Sequence, residues 1–135
     1  MEPPRRTPSL TLAIPASFTS DIPHPREKTS RVGTIARATA TFRAEEIIIY
    51  RDRPNEEQGD EVEFITTLLR YVETPQYLRK LLFPPNPILR YVGILPPLRT
   101  PHHPLEKRSS KLRPGEFREG VITRRRGEGV DVEIG

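Results

Sequence analysis

Residues 26–51, REKTSRVGTIARATATFRAEEIIIYR, change their hydrophobic period part-way along. Val32, Ile35, Ala36, Thr39 and Phe42 recur at steps of three and four. That spacing makes one apolar helical face, and Arg31, Arg37 and Arg43 fall off it. The continuous apolar run in EEIIIYR (45–51) follows at once, bounded by charge. It reads as a strand buried on both faces, as strands of parallel sheets are.

The flanks extend this alternation. Upstream, SLTLAIP (9–15) reads as a strand ended by Pro15, ASFTSDIPHP (16–25) as a loop, and MEPPRRTP (1–8) as a disordered lead-in. Downstream, RDRPNEEQGDE (51–61) is a polar loop. VEFITTLLRYVET (62–74) is a helix through Ile65, Leu68, Leu69 and Val72, and PQYLRKLLF (75–83) is a second helix opened by Pro75. FPPNP breaks it, and ILRYVGILP (88–96) reads as a third strand or as a short helix plus strand. The order β-α-β-α-α-β predicts an α/β chain with a partial Rossmann-like parallel sheet.

The character changes after His103. LEKRSSKLRPGE (105–116) is a charged linker. FREGVITRRRGEGVDVEIG (117–135) predicts two strands, 117–123 and 129–134, around a glycine turn in RRGEG. Two strands do not stabilise themselves in water. The expectation is an all-β module begun here and not finished. The organisation expected is therefore a lead-in at 1–8, an α/β part at 9–104, and a linker with a first hairpin at 105–135.

Composition narrows the chemistry. The chain has 135 residues, 22 Lys and Arg, and a formal net charge of +4. The sequence pI is about 9.8. Arginine's planar fork suits phosphate, so nucleic acid is a candidate partner; a heat-adapted or compositionally biased protein would share this make-up. There is no cysteine, which removes disulfides, thiolate metal sites and cysteine nucleophiles. No apolar run approaches the ~20 residues of a membrane span, and a cytoplasmic protein is expected. Repeats, a P-loop and a G-x-G-x-x-G motif are absent.

Candidate side chains fall in two places. Arg26 and Lys28 lie in the first turn of the long predicted helix, where exposed amides favour anions, and Arg37 lies about three turns on. Arg99, His102 and His103 lie in PPLRTPHHP (96–104), a loop stiffened by four prolines. A Ser20–Asp21–His102 set lacks a G-x-S-x-G elbow. A metal site from His24, His102 and His103 lacks a carboxylate at a suitable spacing.

Two blocks carry a resemblance. AIPASFTSDIPHPREKTSRVGTIARATATFRAEEIIIYRD (13–52) and TPQYLRKLLFPPNPILRYVGILPPLRTPHHP (74–104) together resemble an archaeal and eukaryotic family of RNA methyltransferases in the SPOUT superfamily. The resemblance implies an α/β-knot fold, S-adenosylmethionine as methyl donor, and RNA, ribosomal in the first instance, as substrate. It also implies an OB-like β-barrel inserted near residue 105. Arg31 to Arg37, RVGTIAR, is similar to the N-x-G-x-x-x-R motif of one branch, with Arg31 in place of its asparagine. By that likeness Arg37 is the catalytic candidate, with Arg99, His102 and His103 facing RNA, and Arg26 and Lys28 at the helix start are the candidate phosphate contacts. The donor site and homodimer contact of such enzymes lie in a carboxy-terminal knot, so no cofactor-binding residue is assigned in this chain. The chain is expected to be an amino-terminal fragment, inactive alone, completed by a knot encoded in a downstream reading frame if the gene is split. The rival expectations are a non-catalytic RNA-binding accessory protein and a gene remnant.

Overall fold

The computed structural model describes residues 7–135. The lead-in expected at 1–8 lies mostly outside the described residues. The chain divides into two compact units, one running to Glu73 and resuming at Pro85–Leu98, the other formed by Thr74–Pro84 and Arg99–Gly135.

The first unit is α/β. Strand β1 (Thr11–Pro15) and strand β2 (Glu46–Tyr50) pair in parallel, with Ile14 opposite Ile49 and Pro15 opposite Tyr50. Helix α1 (Pro25–Phe42) connects them. Threonine is a weak helix former, but the hydroxyls of Thr29, Thr34, Thr39 and Thr41 each donate to the carbonyl four residues back. The helix starts at Pro25 behind a His24 cap and ends where Arg43 turns left-handed at φ 57°. Its inward stripe is Thr29, Val32, Gly33 and Ala36. Phe42, expected on that stripe, is 66% exposed at the helix end.

Helix α2 (Gly59–Glu73) starts three residues before its expected position, with Asp60 and Glu61 in its first turn, where the helix dipole favours acid. Val32 of α1 and Ile65 and Leu68 of α2 are fully buried against one another. Phe18, Ile49, Phe64, Ile88, Leu89, Val92 and Leu95 pack round them.

Two expectations are corrected here. Residues 88–96 form no strand; of the two readings only the short helix stands, as the 3-10 helix Pro87–Ile94. Asn86 starts it by accepting from the Ile88 N–H at 2.9 Å, and Pro87 at its first position lacks a donor for a sheet ladder. The apolar run is used as a cover lying on α1 and α2. The second correction concerns β2, which is not buried on both faces. Ile48 and Tyr50 are each 46% exposed, because helices pack on one side only of a two-stranded sheet.

The second unit contains helix α3 (Gln76–Leu82), a 3-10 turn at Ser109–Lys111, and an antiparallel hairpin of β3 (Val121–Arg126) and β4 (Gly129–Glu133). The hairpin starts four residues later than expected. Gly127, φ 52°, takes the first position of its two-residue turn, where a type II′ turn wants glycine. A bulge between Ile122 and Arg124 lets one residue slip the ladder. The strands form a lone hairpin among the described residues, with Ile122, Val130 and Val132 exposed, and no closed barrel. Arg118 organises this unit. Its side chain is only 3% exposed, and it donates to the carbonyls of Glu106, Lys107 and Ile134 while its guanidinium carbon lies 5.0 Å from the Tyr77 ring centroid.

Leu68 and Phe42 test this description of the core. Leu68→Ala, at a position with 0% exposure, is expected to cost about 2–5 kcal/mol. Phe42→Ala is expected to stay within about 0.5 kcal/mol. Urea midpoints for the two variants, at unchanged slope, make the comparison.

Candidate functional site

The carboxyl ends of parallel strands are where α/β folds place their sites. Here the chain leaves β1 at Ser17 and β2 at Asp52, and one carboxylate joins the two exits. Asp52 accepts from the Ser17 hydroxyl at 2.6 Å and the Ser17 N–H at 3.1 Å. It also accepts from the Gln58 amide at 3.0 Å. The buried Gln58 oxygen in turn accepts from the N–H groups of Asp52 and Arg53 at 3.1 and 3.0 Å. The Ser17 hydroxyl, then the Gln58 amide, hold the Asp52 carboxyl down to about 2 from the ordinary 3.8. So weak a base does not activate the Ser17 hydroxyl near neutral pH. This group is a clamp, and none of its three side chains was a candidate from sequence. The signal that points to them is their position just past strand ends, together with the paired exits that only the fold supplies.

The arginine motif, Arg31 to Arg37, lies on α1 between the two strand exits in sequence, and its members have different tasks. Arg31 donates to both Asp21 oxygens at 2.6 and 3.1 Å and to the Phe18 carbonyl at 2.9 Å. That guanidinium holds the Asp21 carboxyl below its ordinary 3.8. Asp21 is thus committed to Arg31, not to a Ser20–Asp21–His102 set. Gly33 is where Leu95 lies against α1: a Cβ there would stand 2.4 Å from a Leu95 methyl. Arg31 and Gly33 therefore have structural reasons to be what they are. Arg37 has none. It is exposed, and among the described residues its guanidinium has no hydrogen bond or ion pair.

Arg26 and Lys28 stand in the first turn of α1, as expected, and Arg37 is about three turns away on the same helix. Arg99, His102 and His103 belong to the second unit. The His103 N–H closes a turn onto the Thr100 carbonyl at 2.9 Å, and the two imidazoles meet edge to face at 4.4 Å. The candidates are therefore split three and three between the units, and the two histidines meet. Among the described residues, no three metal-ligating side chains gather, and no helix is long and apolar enough to cross a membrane.

A profile of the family described as "Putative RNA methyltransferase" matches residues 9–135. The chain belongs to this family. It is similar to the 28S rRNA (uridine-N(3))-methyltransferases of Mus musculus and Homo sapiens, at 35% and 34% identity over 129 residues, 87% of this chain. It is also similar to an uncharacterized protein of Halobacterium salinarum, at 36% over 126 residues, 93% of this chain. It spans 32%, 33% and 43% of those three relatives' lengths.

Methyltransferases in general draw on S-adenosylmethionine.

The clamp has a pH signature. Asp52 ionises more readily folded than unfolded, so the unfolded state binds more protons between pH of about 4 and 2. Its stabilising contribution is whole above about pH 4 and is lost as pH falls through about 2. Melting temperatures from pH 5 down to 2 should fall more steeply for the parent than for Asp52→Asn, with the two profiles converging at the acid end.

Proposed function

We propose that this chain is the RNA-engaging part of a SPOUT-type methyltransferase that acts on ribosomal RNA at N3 of uridine. The family match over residues 9–135 carries this reading, and the relatives' names give the substrate class. The donor site is assigned to polypeptide outside the described residues. That assignment is supported by the chain's share, about a third, of the mammalian relatives' length. By itself the chain is inactive in methyl transfer. On the same reading the β3–β4 hairpin is the opening hairpin of an OB-like module, and the boundary between the α/β part and that module lies near residue 105.

Arg37 is the residue placed at the reaction. N3 of uridine gains a free lone pair only when its proton leaves, and the negative charge then spreads to O2 and O4. A guanidinium beside those oxygens lowers the cost of that charge and fixes the base at the same time. An exposed arginine with no internal partner is free to do this; Arg31, gripped by Asp21, is not. Arg26 and Lys28 on α1, and Arg99, His102 and His103 on the second unit, serve as phosphate and base contacts.

Two titrations test this. S-adenosylmethionine added to the chain alone should give no binding heat, and heat should appear when the product of a downstream reading frame carrying the donor site is present. Binding by the chain alone would overturn the placement of the donor site. RNA titrations at several salt concentrations should show a steep loss of affinity, and Arg37→Ala should lower the log–log slope by about 0.7–0.9 if Arg37 also meets a phosphate. RNA binding with no partner that restores S-adenosylmethionine binding would leave a non-catalytic RNA-binding protein.

A further inference from the structure

The first turn of α1 holds an arrangement that neither the clamp nor the arginine motif uses. His24 caps α1, its Nδ1 accepting from the Arg26 N–H at 3.1 Å. The His24 ring meets the Tyr91 ring at a centroid distance of 5.7 Å and a tilt of 55°. The Arg90 guanidinium carbon lies over the same Tyr91 ring, 5.4 Å from its centroid. Tyr91 is half-buried, while His24 and Arg90 are exposed. The platform beneath them is firm, because Ile88, Leu89 and Val92 of the same 3-10 segment, and Leu95 just after it, pack on the core.

The surroundings are cationic. Lys28 follows His24 by one turn on the same stripe of α1, and Arg26 lies between them in sequence. Glu27 is the one acidic residue of that turn. Arg90 lies on the Tyr91 ring and the adjoining first turn of α1 carries Arg26, Lys28 and one anion, and neither Arg26, Lys28 nor Arg90 has an ion pair among the described residues. Unpaired bases stack on aromatic rings and on guanidinium planes, and cations beside them meet the phosphates. A duplex hides its base faces and would use only the charge. An acidic peptide would likewise leave the rings without partners.

We propose that His24, Tyr91 and Arg90 form a stacking platform for unpaired RNA bases, with Arg26 and Lys28 on the adjoining phosphates. This rests on the RNA reading above and adds to it a single-stranded target segment and the side chains that hold it.

The test is fluorescence anisotropy with a short labelled single-stranded RNA of mixed sequence, and with the same strand annealed to its complement. Tyr91→Ala is expected to weaken single-strand binding about 5- to 100-fold, with Tyr91→Phe within about twofold of the parent and duplex binding unchanged in both. His24→Asn removes the ring and keeps a good cap, so it should lose single-strand affinity about fivefold at an unchanged melting temperature. It decides the matter if Tyr91→Ala fails to fold. A folded Tyr91→Ala or His24→Asn chain that binds single strands like the parent overturns the platform, as do equal losses on single strand and duplex. A parent chain that binds neither RNA overturns the RNA reading itself.

Discussion

One carboxylate fixes the geometry on which the first unit depends. Two parallel strands joined by a long helix have no turn to hold them in register, so something else must tie their ends. Asp52 does this by accepting from Ser17 at the exit of β1 and from Gln58, whose own oxygen takes two N–H groups at the exit of β2. Each buried polar atom in this group has a partner, which is the condition under which a polar network rigidifies a fold. Gln58 also directly precedes α2, and its carbonyl accepts from Val62 at 3.1 Å, so the same residue that holds the strand exit starts the helix.

With the strands tied, α1 is presented in a fixed rotation, and its faces divide by function. The inward stripe admits Leu95 at Gly33 and packs Val32 on α2. The Arg31 side is held by Asp21 and the Phe18 carbonyl. What is left is the outer face carrying Arg37 and the leading turn carrying His24, Arg26 and Lys28. Sequence periodicity separated inward from outward residues but gave Arg31 and Arg37 the same standing, since both fall off the apolar stripe. The distinction is a long-range one, made by an aspartate ten residues upstream.

The same contrast explains what could be read without a structure. β1, α1, β2, α2, α3 and the hairpin were legible, because each carries its own period or turn residue in a short window. The 88–96 segment was legible only as two alternatives, a strand or a short helix plus strand, because apolar β-branched residues suit a strand and a packed 3-10 cover equally. Asn86 and Pro87 decide the matter through a local cap. The depth of burial of β2 was also misjudged: IIIY is written for two covered faces, and within the described residues only one is covered. Of the site, the exposed cations could be named, but periodicity did not rank them, and only the family likeness set Arg37 apart. The Asp52 clamp depends on residues 35 apart meeting, which no local pattern encodes.

Ranking the cations is the step that turns composition into function. A pI near 9.8 suggests an anionic partner, yet several of the arginines that produce it are engaged within the fold. Arg118 is buried and bonded to three carbonyls, and Arg31 is forked onto Asp21. Removing either would damage folding before it affected recognition. Arg53 and Arg126 sit in exposed pairs with Glu56 and Asp131, which contribute little and can open towards phosphate. Arg26, Arg37, Arg90 and Arg99 have no ion pair among the described residues, and the first three belong to the first unit, with α1, α2 and the Pro87–Ile94 cover. A long-range field from total charge would steer any polyanion. Cations set on a packed helix beside aromatic rings discriminate further, because they demand a phosphate spacing and an accessible base face together.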